Sequence, residues 1–110
     1  MMKVSDLVKL EGFTPLALPD GERKITGGYV GDLLSWVMGR AKSDCAWITI
    51  MSNVNIVAVA TLADVACIIL AEGVKPDKTI IETAEAKGIN LLTTEMPAYE
   101  TALALGSFSE

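Results

Sequence analysis

Apolar residues fall into two alternating kinds of run along this chain. Ala46–Met51, Val65–Leu70 and Ile89–Thr93 are short, with the length and branched content of buried strands, and Val65–Leu70 is apolar throughout. Val54–Ala63, Asp77–Lys87 and Pro97–Leu105 space their apolar positions for helices. Ser52, Asn53 and Asn55 suit the entry of the first of these helices, and Gly88 is a helix stop for the second. Thr94 or Glu95 stands near the cap of the third. The segment Ile56–Ala60 (IVAVA), read as part of the first helix, would by its β-branched content also serve as a strand.

Upstream the pattern is less regular. Lys3–Leu10 predicts a short helix with Val4, Leu7, Val8 and Leu10 on its apolar stripe, ended by Gly12. Phe13–Leu18 predicts a strand, placed at a sheet edge by Pro15 and Pro19. Asp20-Gly21 marks a turn. Ile25–Gly31 (ITGGYVG) reads as a tight turn, and Asp32 then opens a helix through Ala41, with Arg40 and Lys42 suiting its C-terminal dipole. The tail from Gly106 is expected to fray. Strands alternating with helices through short loops imply an α/β fold, a small three-layer domain whose mainly parallel sheet is built from successive β-α units.

Composition narrows the choices. A chain of 110 residues fits one domain, 1–110, and 51% hydrophobic with 5% aromatic residues gives an aliphatic core. The net charge of −5, with no run of Lys or Arg, argues against nucleic-acid and membrane-surface partners. The longest apolar stretch, Ile56–Ala71, is broken by Thr61 and Asp64. No apolar run follows Lys3 as in a secretory leader, so a cytoplasmic location is expected. Cys45 and Cys67 lie in apolar segments and read as free, buried thiols.

The chain has no histidine, which excludes Ser-His-Asp and Cys-His nucleophiles and the commonest transition-metal ligand. No catalytic residue, metal or cofactor is expected. Gly27–Gly31 is no P-loop, because no Lys-Ser or Lys-Thr follows, and it lacks G-x-G-x-x-G. It is either plain turn chemistry or a cradle of backbone N–H groups. Ser52, Asn53 and Asn55 follow the first of the three buried strands, Glu72 and Gly73 the second, while Thr93 and Thr94 end the third. In a parallel sheet these loops emerge on one edge, where open α/β folds place ligands. The expected site is therefore Ser52, Asn53, Asn55, Glu72, Gly73, Thr93 and Thr94, with Gly27 and Gly28 from the preceding turn. The same residues could do no more than cap helices. Glu72 and the lack of a nearby Lys or Arg weigh against strong anion binding there. The high apolar content and the Trp36 and Met38 face suggest a two-fold homodimer.

The GGYVGDLLS segment at Gly27, the NIVAVA segment at Asn55, and ILAEG followed by KP, a helix and KGINLLTTE together resemble the DRTGG domain family. The resemblance covers about residues 25–105 and reads as a stand-alone member. Similar domains occur within phosphate acetyltransferases, beside pyrophosphatase or CBS-type modules, and as short stand-alone proteins, and the N-terminal domain of HPr kinase/phosphorylase is related in fold. Two departures stand out. Many members carry Gly-Asp-Arg where this chain has Met51-Ser52-Asn53, and Thr-Gly-Gly where it has Ala71-Glu72-Gly73. The resemblance implies a regulatory or sensory domain, not an enzyme, which binds a small molecule such as a nucleotide and acts through an unnamed protein partner. The alternative is a structural interaction module with no ligand. A kinase-related enzyme is the weaker reading, because the P-loop that positions phosphates is missing.

Overall fold

The computed structural model describes residues 2–108. Its sheet has five strands: β1 (Thr14–Ala17), β2 (Gly27–Val30), β3 (Cys45–Thr49), β4 (Cys67–Leu70) and β5 (Leu91–Thr93). Their order is β1-β5-β4-β3-β2. The last four run parallel, with Trp47 beside Ile68 and Ile69 beside Leu92, and β1 pairs antiparallel with β5. Every residue of β3, β4 and β5 is buried, which is why these strands read as predominantly apolar runs. Their side chains still alternate. Cys45, Trp47, Ile68, Leu70 and Leu91 face one core, while Ala46, Ile48, Cys67, Ile69 and Leu92 face the other.

Helices cover both faces and complete the expected three layers. The first face carries α2 (Leu34–Arg40), α3 (Asn55–Ala63) and α4 (Lys78–Lys87), through Val37, Ile56, Ala60, Ile80 and Ala84. The second carries α1 (Val4–Leu7) and α5 (Ala98–Phe108), through Val4, Leu7 and Leu105. Strands β2 to β5 are added in one direction, so right-handed crossovers put α2, α3 and α4 on the same side. Among the described residues no helix is long and apolar enough to cross a membrane.

The helix expected over Val54–Ala63, despite its strand-like IVAVA segment, is α3. Ile56, Val57, Val59, Ala60 and Ala63 bury a helical stripe against the sheet. Helix α4 starts where Asp77 accepts from the Ile80 N–H at 3.1 Å and stops at Gly88, in the left-handed conformation. Three readings need correction. Gly27–Val30 is an edge strand rather than a turn, because pairing with β3 outweighs the poor strand propensity of its glycines. Asp32 does not open α2, whose N-cap is Leu33; its carboxylate goes to the end of β3 instead. Gly106–Phe108 continue α5 rather than fray, and Ser109 and Glu110 lie outside the described residues.

The amino ends of the strands are tied by one guanidinium. Arg23 donates to Asp44 Oδ1 through Nε and Nη2, at 3.0 and 2.9 Å, and to Asp64 Oδ1 at 2.8 Å. It thereby links the β1–β2, β2–β3 and α3–β4 connections. Asp44 and Asp64 both sit at positive φ, at 67° and 60°, a conformation costly for a non-glycine residue that the shared partner holds in place. The Ser43 hydroxyl, at 2.7 Å from Asp64 Oδ2, and the Arg23 guanidinium keep the Asp64 carboxyl below its ordinary value of 3.8. A depressed folded pKa stabilises above the unfolded value and is lost as pH falls through the folded one. Urea midpoints are therefore expected to drop as pH falls below about 4, more steeply in the parent than in Arg23→Met. At neutral pH that variant should lose roughly 1–3 kcal/mol.

Candidate functional site

β3, β4 and β5 do end on one edge, but their loops then part. The chain leaves β4 for α4 on one face and β5 for α5 on the other. Such a divergence between neighbouring strands is where an open sheet forms a ligand crevice. Here the crevice is closed by the chain itself. Glu72 and Gly73 are both left-handed, with φ of 62° and 71°. Their N–H groups donate to Met96 O and Thr94 O at 2.8 and 2.9 Å. The Glu72 carboxylate accepts from the Ala98 N–H at 3.2 Å and sits on the positive end of α5, where an anionic ligand would otherwise lie. Thr93 Oγ1 donates to Val74 O at 3.1 Å, and Thr94 Oγ1 accepts from the Met96 N–H at 3.3 Å. Glu72, Gly73, Thr93 and Thr94 are thus brought together, and their polar groups bind one another's loops.

The other expected residues lie apart. Asn53 Oδ1 accepts from the Asn55 N–H at 2.9 Å, an Asx turn leading into α3, while the N-cap itself is Val54 with no side-chain bond. Ser52 is half-buried in the same loop. Asn55 lines a shallow, mainly apolar groove between α3 and α4 with Val57, Leu62 and Lys87. Gly27 and Gly28 are in register with Cys45 and Ala46, so they sit at the amino end of the sheet, away from the loops. They were expected beside those loops only because their segment reads as a turn.

Next to the closed crevice, between β5 and the start of β1, lies a cleft of about 320 Å³. Gly12, Thr14, Lys75, Thr93, Thr94 and Glu95 line it. Lys75 supplies the basic group that the sequence reading placed nowhere near these threonines, and it pairs with Glu95 at 2.9 Å. Both side chains are largely exposed, so the pair is a weak latch over the cleft and leaves it without net charge. Sequence reasoning also missed Asp32, which accepts from Thr49 Oγ1 at 2.8 Å and the Ile50 N–H at 3.0 Å. No short-range signal marks that contact.

Both cysteine thiols are held neutral. Burial raises Cys45 and pushes Cys67 up to about 12, and the two face opposite cores. Among the described residues no three His, Cys, Asp or Glu side chains gather as a metal site would require.

The family model of the DRTGG domain matches residues 31–108. The chain belongs to the DRTGG domain family. A crystal structure of the CBS and DRTGG domains of the regulatory region of Clostridium perfringens pyrophosphatase, complexed with its activator diadenosine tetraphosphate, shares the fold. The TM-score is 0.64 over 84% of this DRTGG chain, at 20% identity. The chain spans 40% of the length of that one. No curated protein matches it.

The closed crevice makes a specific demand on Gly73. A Cβ there would stand 2.6 Å from Glu95 Oε1, on a backbone at φ +71°. Gly73→Ala is expected to cost about 1–2 kcal/mol in urea unfolding and to break the Lys75–Glu95 pair. The loss of the pair would show as altered chemical shifts of the Lys75 ammonium group.

Proposed function

We propose that this DRTGG domain is a non-catalytic regulatory module that binds a small polar molecule, a nucleotide among the candidates, and acts through a protein partner. The observation that carries this reading is the cleft at the carboxyl end of β5, where Lys75 and Glu95 latch over Thr93 and Thr94. A ligand there would replace the latch and bear on the 94–97 connection, which leads directly into α5. Helix α5 carries Tyr99 and Leu103, 70% and 53% exposed, on its outer side. A shift of its start would thus reach a surface that a partner can read. The regulatory role of the C. perfringens region and its complex with a nucleotide activator support the reading by likeness. The lack of histidine and the two neutral thiols support a non-catalytic role.

A thermal-shift screen of nucleotides and polar metabolites tests it. A ligand at 100 times its Kd should add about 2.7 kcal/mol, seen as a rise in Tm. Its amide perturbations should centre on Thr93, Thr94 and Met96, and Lys75→Ala should weaken binding severalfold with little change in stability. A screen with no shift, or perturbations elsewhere, would remove the cleft as a ligand site.

A second reading, a ligand-free interaction module working as a two-fold dimer, is favoured by one observation. Leu33, Trp36 and Met38 at α2 are 57%, 51% and 47% exposed. Light scattering at micromolar concentration is then expected to report twice the 11.7 kDa chain mass, falling to the monomer in Trp36→Ser. A monomer in the parent protein would count against it.

A further inference from the structure

The amino end of the sheet holds a second cleft, of about 300 Å³, on the side of β2 that faces α2. Thr26, Gly27, Gly28, Tyr29, Arg40 and Lys42 line it. Its charge is unlike that of the rest of the molecule. In a chain of net charge −5, two cations face this space, and among the described residues no carboxylate lines it. Asp44, whose backbone carbonyl accepts from the Thr26 N–H, has its carboxylate taken up by Arg23 at 2.9 and 3.0 Å. Arg40 is held over the Trp36 ring, 3.7 Å from its centroid, which restrains the guanidinium without neutralising it.

Gly27 is the second observation. It has neither a positive φ nor a close neighbour, since a Cβ there would meet nothing within 4 Å. Its neighbours differ. A Cβ at Gly28 would come 3.0 Å from Leu105 Cδ2, and one at Gly31 would come 2.8 Å from the Tyr29 ring. Packing accounts for those two glycines and leaves Gly27 unexplained. Strand alternation puts a side chain at position 27 on the same side of β2 as Tyr29, into the cleft. Because β2 ends the sheet, one side of its backbone has no strand partner and borders the same space.

We propose that this cleft is an anion site that takes a phosphate group, with Arg40 and Lys42 as its charge partners and the room left by Gly27 as its seat. A guanidinium fork beside an ammonium group matches a phosphate, and the volume suits one or two phosphate groups. The site is independent of the cleft at β5, which lies at the other end of the sheet and carries a neutralised lysine. Arg40, in the last turn of α2, and Lys42, just after its end, also lie where the helix dipole favours cations. The experiment separates that purely structural role from binding.

The full chain is titrated at constant ionic strength with inorganic phosphate, pyrophosphate, AMP, and adenosine as the phosphate-free control, followed by amide and guanidinium NMR signals. Saturable shifts are expected at residues 26–29 and at Arg40 Nε–H with the three phosphate compounds and not with adenosine. Tighter binding of AMP than of phosphate assigns the site to a phosphorylated metabolite, and equal or weaker binding of AMP assigns it to the free ion. Lys42→Gln and Arg40→Gln are each expected to weaken binding about tenfold. Gly27→Ala, whose Cβ meets no protein atom within 4 Å, should weaken binding severalfold with no loss of Tm. Shifts that fail to saturate at tens of millimolar, or that survive all three substitutions, overturn the proposal.

Discussion

β3, β4 and β5 are apolar on both faces, and a strand of that kind must be covered from both sides. Three crossover helices added in one direction can cover only one side. The second side needs α5 to leave β5 in the opposite sense and lie across β2 and β3, with α1 completing the layer. The parting of the loops after β4 and β5 follows from that requirement. So does the presence of a crevice for Glu72 and Gly73 to close.

The two ends of the sheet are secured by different physics. At the carboxyl end, backbone N–H groups in left-handed residues and a single carboxylate stitch two loops together. At the amino end, a guanidinium gathers two aspartates, and the buried Asn90 exchanges hydrogen bonds with the backbone of Asp20 while also donating to Ala66 O. The protein has two arginines, and among the described residues only Arg23 is consumed in this way. The other lies over an indole ring beside an open edge strand. Charge therefore distinguishes surfaces that a list of polar residues would treat as alike.

What could be read from the sequence was whatever short-range chemistry decides. Asp77 and Gly88 bracket α4 as capping rules require, and the apolar runs of β3 to β5 announce a parallel sheet. Pro15 in β1 and Pro19 just after it mark an edge strand, and β1 is one. Where distant partners decide, the reading failed. Gly27–Val30 becomes a strand only because β3 lies alongside it. The α5 N-terminus is held by a glutamate from another loop, and the partners of Arg23 are likewise far away in the chain. The polar residues after the strands were legible as a group, yet nothing local told Thr94, knitted into the crevice, from Asn55, which faces a separate groove.

The pairing of β1 with β5 sets a kinetic order. β2 to β5 are joined by crossovers of modest length, so each strand can find its neighbour soon after it is made. Thr14, by contrast, lies opposite Thr93, near the other end of the chain. Closing so long a loop is entropically the most expensive pairing in the sheet and the slowest to be rewarded. The first strand to be synthesised is thus the last that can dock, and the walls of the β5 cleft, Gly12 and Thr14 on one side and Thr93 and Thr94 on the other, meet only at that step.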